Sequence, residues 1–187
     1  MSISQESKIV GIIIGSATGD ALGSPVDMWT SDFIKTKIIY PIKTFIKTHK
    51  NDFVGQYTDR TEMTIGVIES ILCHNSINSV DIVAKFKKNY TATRGYGEIT
   101  GIWDNEAHES CRSSDSALMF MSPIAIFLLH SCDTEIYSVL SEVLAPINHC
   151  SQESIDAAFI FCKIIHFLIK YTELENHMHK DIIVILN

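Results

Sequence analysis

The chain has 187 residues, enough for one domain with a real core, since a chain of roughly 150 residues buries about two-thirds of its unfolded surface. Its 22 acidic and 15 basic residues give a formal net charge of -7 and a pI near 5.5, which argues against a nucleic-acid partner, because phosphate backbones are held by a concentrated positive field. The five cysteines (Cys73, Cys111, Cys132, Cys150, Cys162) are odd in number and never two residues apart, a pattern that fits a reducing, cytoplasmic compartment better than a disulfide scaffold.

The first element is IVGIIIGSATG, preceded by Lys8 and closed by Asp20. It has the apolar length of a signal-peptide core but stops short of the ~20 residues that span a bilayer, so no membrane association is expected. Gly11, Gly15, Gly19 and Gly23 are spaced by four and would form one stripe without side chains, against which a second helix backbone could pack. No dinucleotide-binding or phosphate-loop fingerprint occurs.

Turn formers fill ALGSPVDMWTSDF, and the basic, β-branched stretch IKTKIIYPIKTFIKTHKND that follows reads as a short strand or loop. Helices are then expected at about 59–74, 79–90, 115–130, 134–145 and 152–171. Their expected caps are Thr58 or Asp59, Ser79, Ser114 or Asp115, Asp133 and Ser151. Glu62 stands three residues after Asp59, a capping-box spacing. Thr64, Val67, Ile68, Ile71 and Leu72 mark the buried face of the first of these helices; Ile155, Ala158, Phe159, Cys162, Ile165 and Ile169 mark that of the last. Pro123 should kink the 115–130 helix. The basic run KFKKNYTATR at 85–94 reads as the solvated face of a helix. No strand alternation of useful length occurs, so the architecture is an all-α helical bundle with long functional loops. The apolar end DIIVILN would need a partner surface, which suggests a chain that has lost C-terminal elements.

Five segments, in this order, together resemble the ADP-ribosylglycohydrolases, including the dinitrogenase-reductase-activating type. GSATGDALGSPVD is similar to the family's G-x-x-x-G-D-A-x-G-x-P-x-E, and YTDRTEMT to its WTDDTxMT. RGYGEIT is similar to R-G-Y-G-x-x-T, SDSALMFMSP to G-N-G-A-A-M-R-x-x-P, and NHCSQESIDAA to T-H-x-x-x-x-A-x-x-A. The resemblance implies one all-α domain over residues 1–187, shortened at its C-terminus. It also implies hydrolysis of the glycosidic bond between ADP-ribose and a modified side chain, with ADP-ribose or an ADP-ribosylated protein as partner and magnesium or manganese as cofactor. Hard cations of this kind take oxygen ligands and can orient ribose hydroxyls and the attacking water.

Carried over position by position, the resemblance makes Thr58 and Asp59 metal ligands, with Glu62, one turn on, as a partial replacement for a lost acid. Asp27 stands where the family has a mobile acid, so Asp27 and Asp59 are the catalytic candidates. Gly95, Tyr96, Gly97, Asp115, Ser116 and His149 match positions lining the ADP-ribose groove, and Tyr96 or Trp103 could stack on adenine. Capping competes with ligation at Thr58, Asp59 and Glu62. The chain also departs from the pattern. Arg60 replaces an acid, Asp115 an asparagine and Phe120 an arginine, and no D-x-D-[ST] follows residue 133. These departures support a second expectation, an ADP-ribose-binding pseudoenzyme or structural remnant.

Overall fold

The computed structural model describes residues 3–37, 44–47, 53–96, 115–147 and 149–171. Among them are seven α-helices and no strand, the all-α class that the periodicity called for. By residue contacts the chain divides into two compact units, Ile14–Ala107 and Met1–Ile13 with His108–Asn187.

Helix α1 runs Gln5–Gly23 and ends in a 3-10 turn, Ser24–Val26. Pro25 is the second residue of that turn, where its missing N–H costs nothing. The glycine stripe does not do what its spacing suggested: a Cβ built at Gly11, Gly15 or Gly19 would meet no described atom within 4 Å. Val10 and Ile14 are each 60% exposed, so among the described residues this helix has no close-packed partner along its stripe. By length and composition alone, residues Gln5–Val26 reach the size of a membrane-crossing helix, longer than the sequence expectation allowed.

The Ile14–Ala107 unit also holds α2 (Ser31–Lys37), α3 (Asp59–His74) and α4 (Ser79–Asn89). Helix α2 falls where a strand or loop was expected. Helix α3 starts at Thr58, whose side chain accepts from Arg60 N, and stops at Asn75 in the left-handed region, a conformation that asparagine tolerates. It packs on α4 beside Gly66: a Cβ there would lie 3.1 Å from Phe86 and 3.3 Å from Lys85, so a larger residue would require those side chains to give way. Met63, Val67, Ile82 and Phe86 form the apolar contact face, whereas Leu72, expected on it, is exposed. The cap of α4 is Asn78, not Ser79: its side chain accepts from Asp81 N. Lys87 and Lys88 are solvated.

In the other unit, α5 (Met121–Phe127) and α6 (Asp133–Leu144) both pack on α7 (Gln152–Lys170). The expected 115–130 helix is broken into a 3-10 turn, Asp115–Leu118, and α5. Pro123 does not kink it; it sits in the first turn of α5, where helices leave N–H groups unpaired anyway. Phe120, standing for an arginine of the family pattern, is fully buried with Met121, Ile124, Leu140 and Leu144. The cap of α6 is Cys132 without a side-chain bond, with Asp133 inside the first turn. Ser151 caps α7 as expected, accepting from Ser154 N.

His166, outside the expected stripe, is buried, with its Nε2 2.7 Å from the Ala125 carbonyl. Burial pushes the Cys162 thiol up to about 12, so it is a packing group and not a nucleophile. Among the described residues, Cys73, Cys132 and Cys162 are free. Gly97, Trp103, Cys111, Ser114 and DIIVILN lie outside the described residues.

Candidate functional site

The polar centre of the Ile14–Ala107 unit is the first turn of α3. A helix start leaves amides unpaired and carries a positive end, and here an acid from α1 meets it. The Asp20 carboxylate accepts from Thr58 N (2.8 Å), Thr58 Oγ1 (2.6 Å), Thr61 N (3.3 Å) and Thr61 Oγ1 (2.6 Å). Four donors on one carboxylate tie the end of α1 to the start of α3. Sequence reading placed Asp20 in the motif turn but assigned it no such role; the signal available was the acid of GDALG, whose partners lie about forty residues downstream.

Glu62 points the other way. Its Oε1 accepts from Thr91 Oγ1 (2.8 Å), and its Oε2 from Thr91 N (3.1 Å) and Tyr96 Oη (2.7 Å). Arg94 Nε lies 3.9 Å from Oε1. Glu62 therefore does not close a capping box, and three donors share its carboxylate. It fixes the loop after α4 to α3. Tyr96 is correspondingly 3% exposed, its ring 4.9 Å from that of Tyr90. Burial and the Glu62 carboxylate hold its phenol protonated far above the usual range. It supports the site from within.

Arg94 completes this wall. Its guanidinium lies 3.9 Å from the Tyr57 ring centre and donates to the Tyr57 carbonyl at 2.9 Å. Gly95 follows at φ 87, a left-handed conformation that suits glycine. Gln56, buried, donates to the Thr93 carbonyl at 3.3 Å. Together with Ser24, Asp27, Tyr57, Thr58 and Thr93 these residues line an open cavity of about 290 Å³. The next residue after Asp27, Met28, holds φ 64, a strained setting for a side-chain-bearing residue and one that concentrates at functional loops.

Of the two catalytic candidates, Asp27 lines this cavity and Asp59 does not. Asp59 is buried at the first turn of α3. Burial raises its carboxyl to about 6, against the opposing pull of the Arg60 charge and of hydrogen bonds from Thr58 and the Arg60 amide. Arg60 Nη2 stands 3.9 Å from Asp27 Oδ1, with both side chains more than 40% exposed. Thr58 and Asp59 thus do cap or begin the helix, and Arg60 places a fixed positive charge among the acids.

In the other unit, Asp115 and Ser116 open the 3-10 turn Asp115–Leu118, and Met119 N donates to the Ser116 carbonyl at 3.3 Å. His149 is buried, with its backbone N–H donating to the Leu144 carbonyl at 3.1 Å. The family model described as ADP-ribosylglycohydrolase matches residues 1–184 of the chain.

Proposed function

The chain belongs to the ADP-ribosylglycohydrolase family, and from that premise we propose that it acts on ADP-ribosylated protein, hydrolysing the glycosidic bond that joins ADP-ribose to a modified side chain. The observation that supports this most directly is the cavity holding Asp27 in its wall, with Tyr57 and Thr58 on one side and Arg94 and Gly95 on another. Cleavage at an anomeric carbon builds positive charge on the sugar and needs an acceptor for the proton of the attacking water. That Asp27 is half-exposed and lines the cavity supports it as the acceptor in this reading. Arg94 lines the same space and carries guanidinium N–H groups beyond the one it gives to the Tyr57 carbonyl, which suit phosphate or ribose oxygens.

The family is divalent-metal dependent in general. The donor set here does not fit such an ion. Glu62 is spent on Thr91 and Tyr96, and Asp20 on Thr58 and Thr61. Among the described residues no group of three or more His, Cys, Asp or Glu could hold a metal. That chemistry favours a second reading, in which the cavity binds ADP-ribose without turnover.

The two readings part in one experiment. The protein is incubated with an arginine- or serine-ADP-ribosylated substrate, free ADP-ribose is measured, and calorimetry with ADP-ribose is run alongside. Release that falls at least about a hundredfold in Asp27→Asn supports the hydrolase. Binding without release supports the second reading, and neither binding nor release overturns both.

A further inference from the structure

We infer that the Arg60 guanidinium takes the place of a divalent cation in this site, so that the chain engages ADP-ribose without metal. The inference rests on the ADP-ribose reading above and adds what neutralises the acids there. Three observations converge. Arg60 directly follows Asp59 and reaches Asp27 at 3.9 Å, so one side chain addresses both catalytic candidates; its charge also acts favourably on the Asp59 carboxylate. The oxygens that could otherwise collect around an ion are committed elsewhere: Asp20 holds four donors from Thr58 and Thr61, and Glu62 holds three from Thr91 and Tyr96. Thr58 Oγ1 itself donates to Asp20 and accepts from the Arg60 amide.

The Asp27 pair is loosely made, long and open to solvent on both sides, and such pairs hold their partners weakly. The guanidinium can therefore leave Asp27 for a phosphate or ribose oxygen, which its planar fork suits. A divalent cation entering the same space would meet a fixed positive charge and find few free oxygens.

The test uses the chain of 187 residues. Manganese is titrated into wild type and Arg60→Asp, with bound ion read by its magnetic resonance signal. ADP-ribose binding is measured by calorimetry in magnesium and in EDTA. Expected are no saturable manganese binding by wild type below about 1 mM, ADP-ribose affinity equal within about twofold in the two buffers, and at least about tenfold tighter manganese binding by Arg60→Asp. One-to-one manganese binding by wild type at micromolar concentration would overturn the inference, as would a loss of ADP-ribose affinity of about tenfold or more in EDTA. Should Arg60→Asp fail to fold, Arg60→Gln serves: it weakens ADP-ribose about tenfold in EDTA, and unchanged affinity counts against the guanidinium. If wild type binds ADP-ribose in neither buffer, the functional reading falls, while the manganese titration of wild type still decides the question of the ion.

Discussion

The two compact units bury their titratable groups on opposite terms. Around the first turn of α3, Asp20, Asp59 and Glu62 are drawn in and met by threonine hydroxyls, backbone amides and a tyrosine. Under α5, α6 and α7 the core is aliphatic and aromatic, and the buried His166 rests against a single carbonyl. The aliphatic core supplies stability through area removed from water, which is indifferent to direction. The polar turn supplies direction: each of its bonds fixes where the cavity wall stands, at a desolvation cost that the bonds offset. Mutations should therefore separate the two, with the core setting how stable the chain is and the turn setting what shape the cavity holds.

The largest effect is expected in the core. Leu140→Ala, at a side chain with no exposure, should lower unfolding free energy by about 3–4 kcal/mol in denaturant titration. A loss below about 1 kcal/mol would mean that the core is not packed as described. Asp20→Ala is next, at about 2–3 kcal/mol, because it strands two threonine hydroxyls and two amides that a charged acceptor had satisfied. It should also abolish ADP-ribose binding, whereas Leu140→Ala should leave the affinity of the folded fraction intact. Equal loss of binding in both variants would break the comparison.

Legibility in the sequence followed the same division. Helix α3 began and ended at the expected residues, and α7 began at Ser151, because periodicity and caps are local signals that a short window contains. The 115–130 helix was overextended: Pro123 reads as an interruption from periodicity alone, yet a first turn accepts it, and only the break at Phe120 says which applies. At the site, position was legible and partnership was not. Thr58, Asp59 and Glu62 were all singled out, but the capping-box spacing of Glu62 lost to Thr91 and Tyr96, about thirty residues away. The acid of GDALG was visible, but its partners Thr58 and Thr61, about forty residues downstream, were not. The glycine stripe misled because spacing describes what a helix could receive, not what the rest of the chain supplies.

Acid titration should expose the two kinds of burial with opposite signs. Asp59 is raised by burial from 3.8 to about 6, so between those values the native state binds more protons than the unfolded chain and stability falls as pH rises. Asp59→Asn removes that penalty. It should stabilise the protein at pH 7 by about 2 kcal/mol, with the gain vanishing below about pH 4. His166 is lowered below 6.5, chiefly by burial; there the unfolded chain binds more protons, so stability is lost as pH falls through that window. His166→Gln should flatten this acid limb without touching the Asp59 slope. A wild-type profile with one slope only, unchanged by either variant, would show that the two environments do not differ as the geometry says.

The smallest stability effect separates shape from charge within the polar turn itself. Arg60→Ala removes a solvent-exposed pair at 3.9 Å from Asp27 and leaves the Arg60 amide, its bond to Thr58 and the four donors on Asp20 in place. Its cost to folding should be below about 1 kcal/mol, well under that of Asp20→Ala on α1. A loss of about 2 kcal/mol or more in denaturant titration would make Arg60 part of the framework. A near-neutral result would instead mark it as a charge held in reserve, with Asp20 fixing the geometry and Arg60 free to meet a ligand.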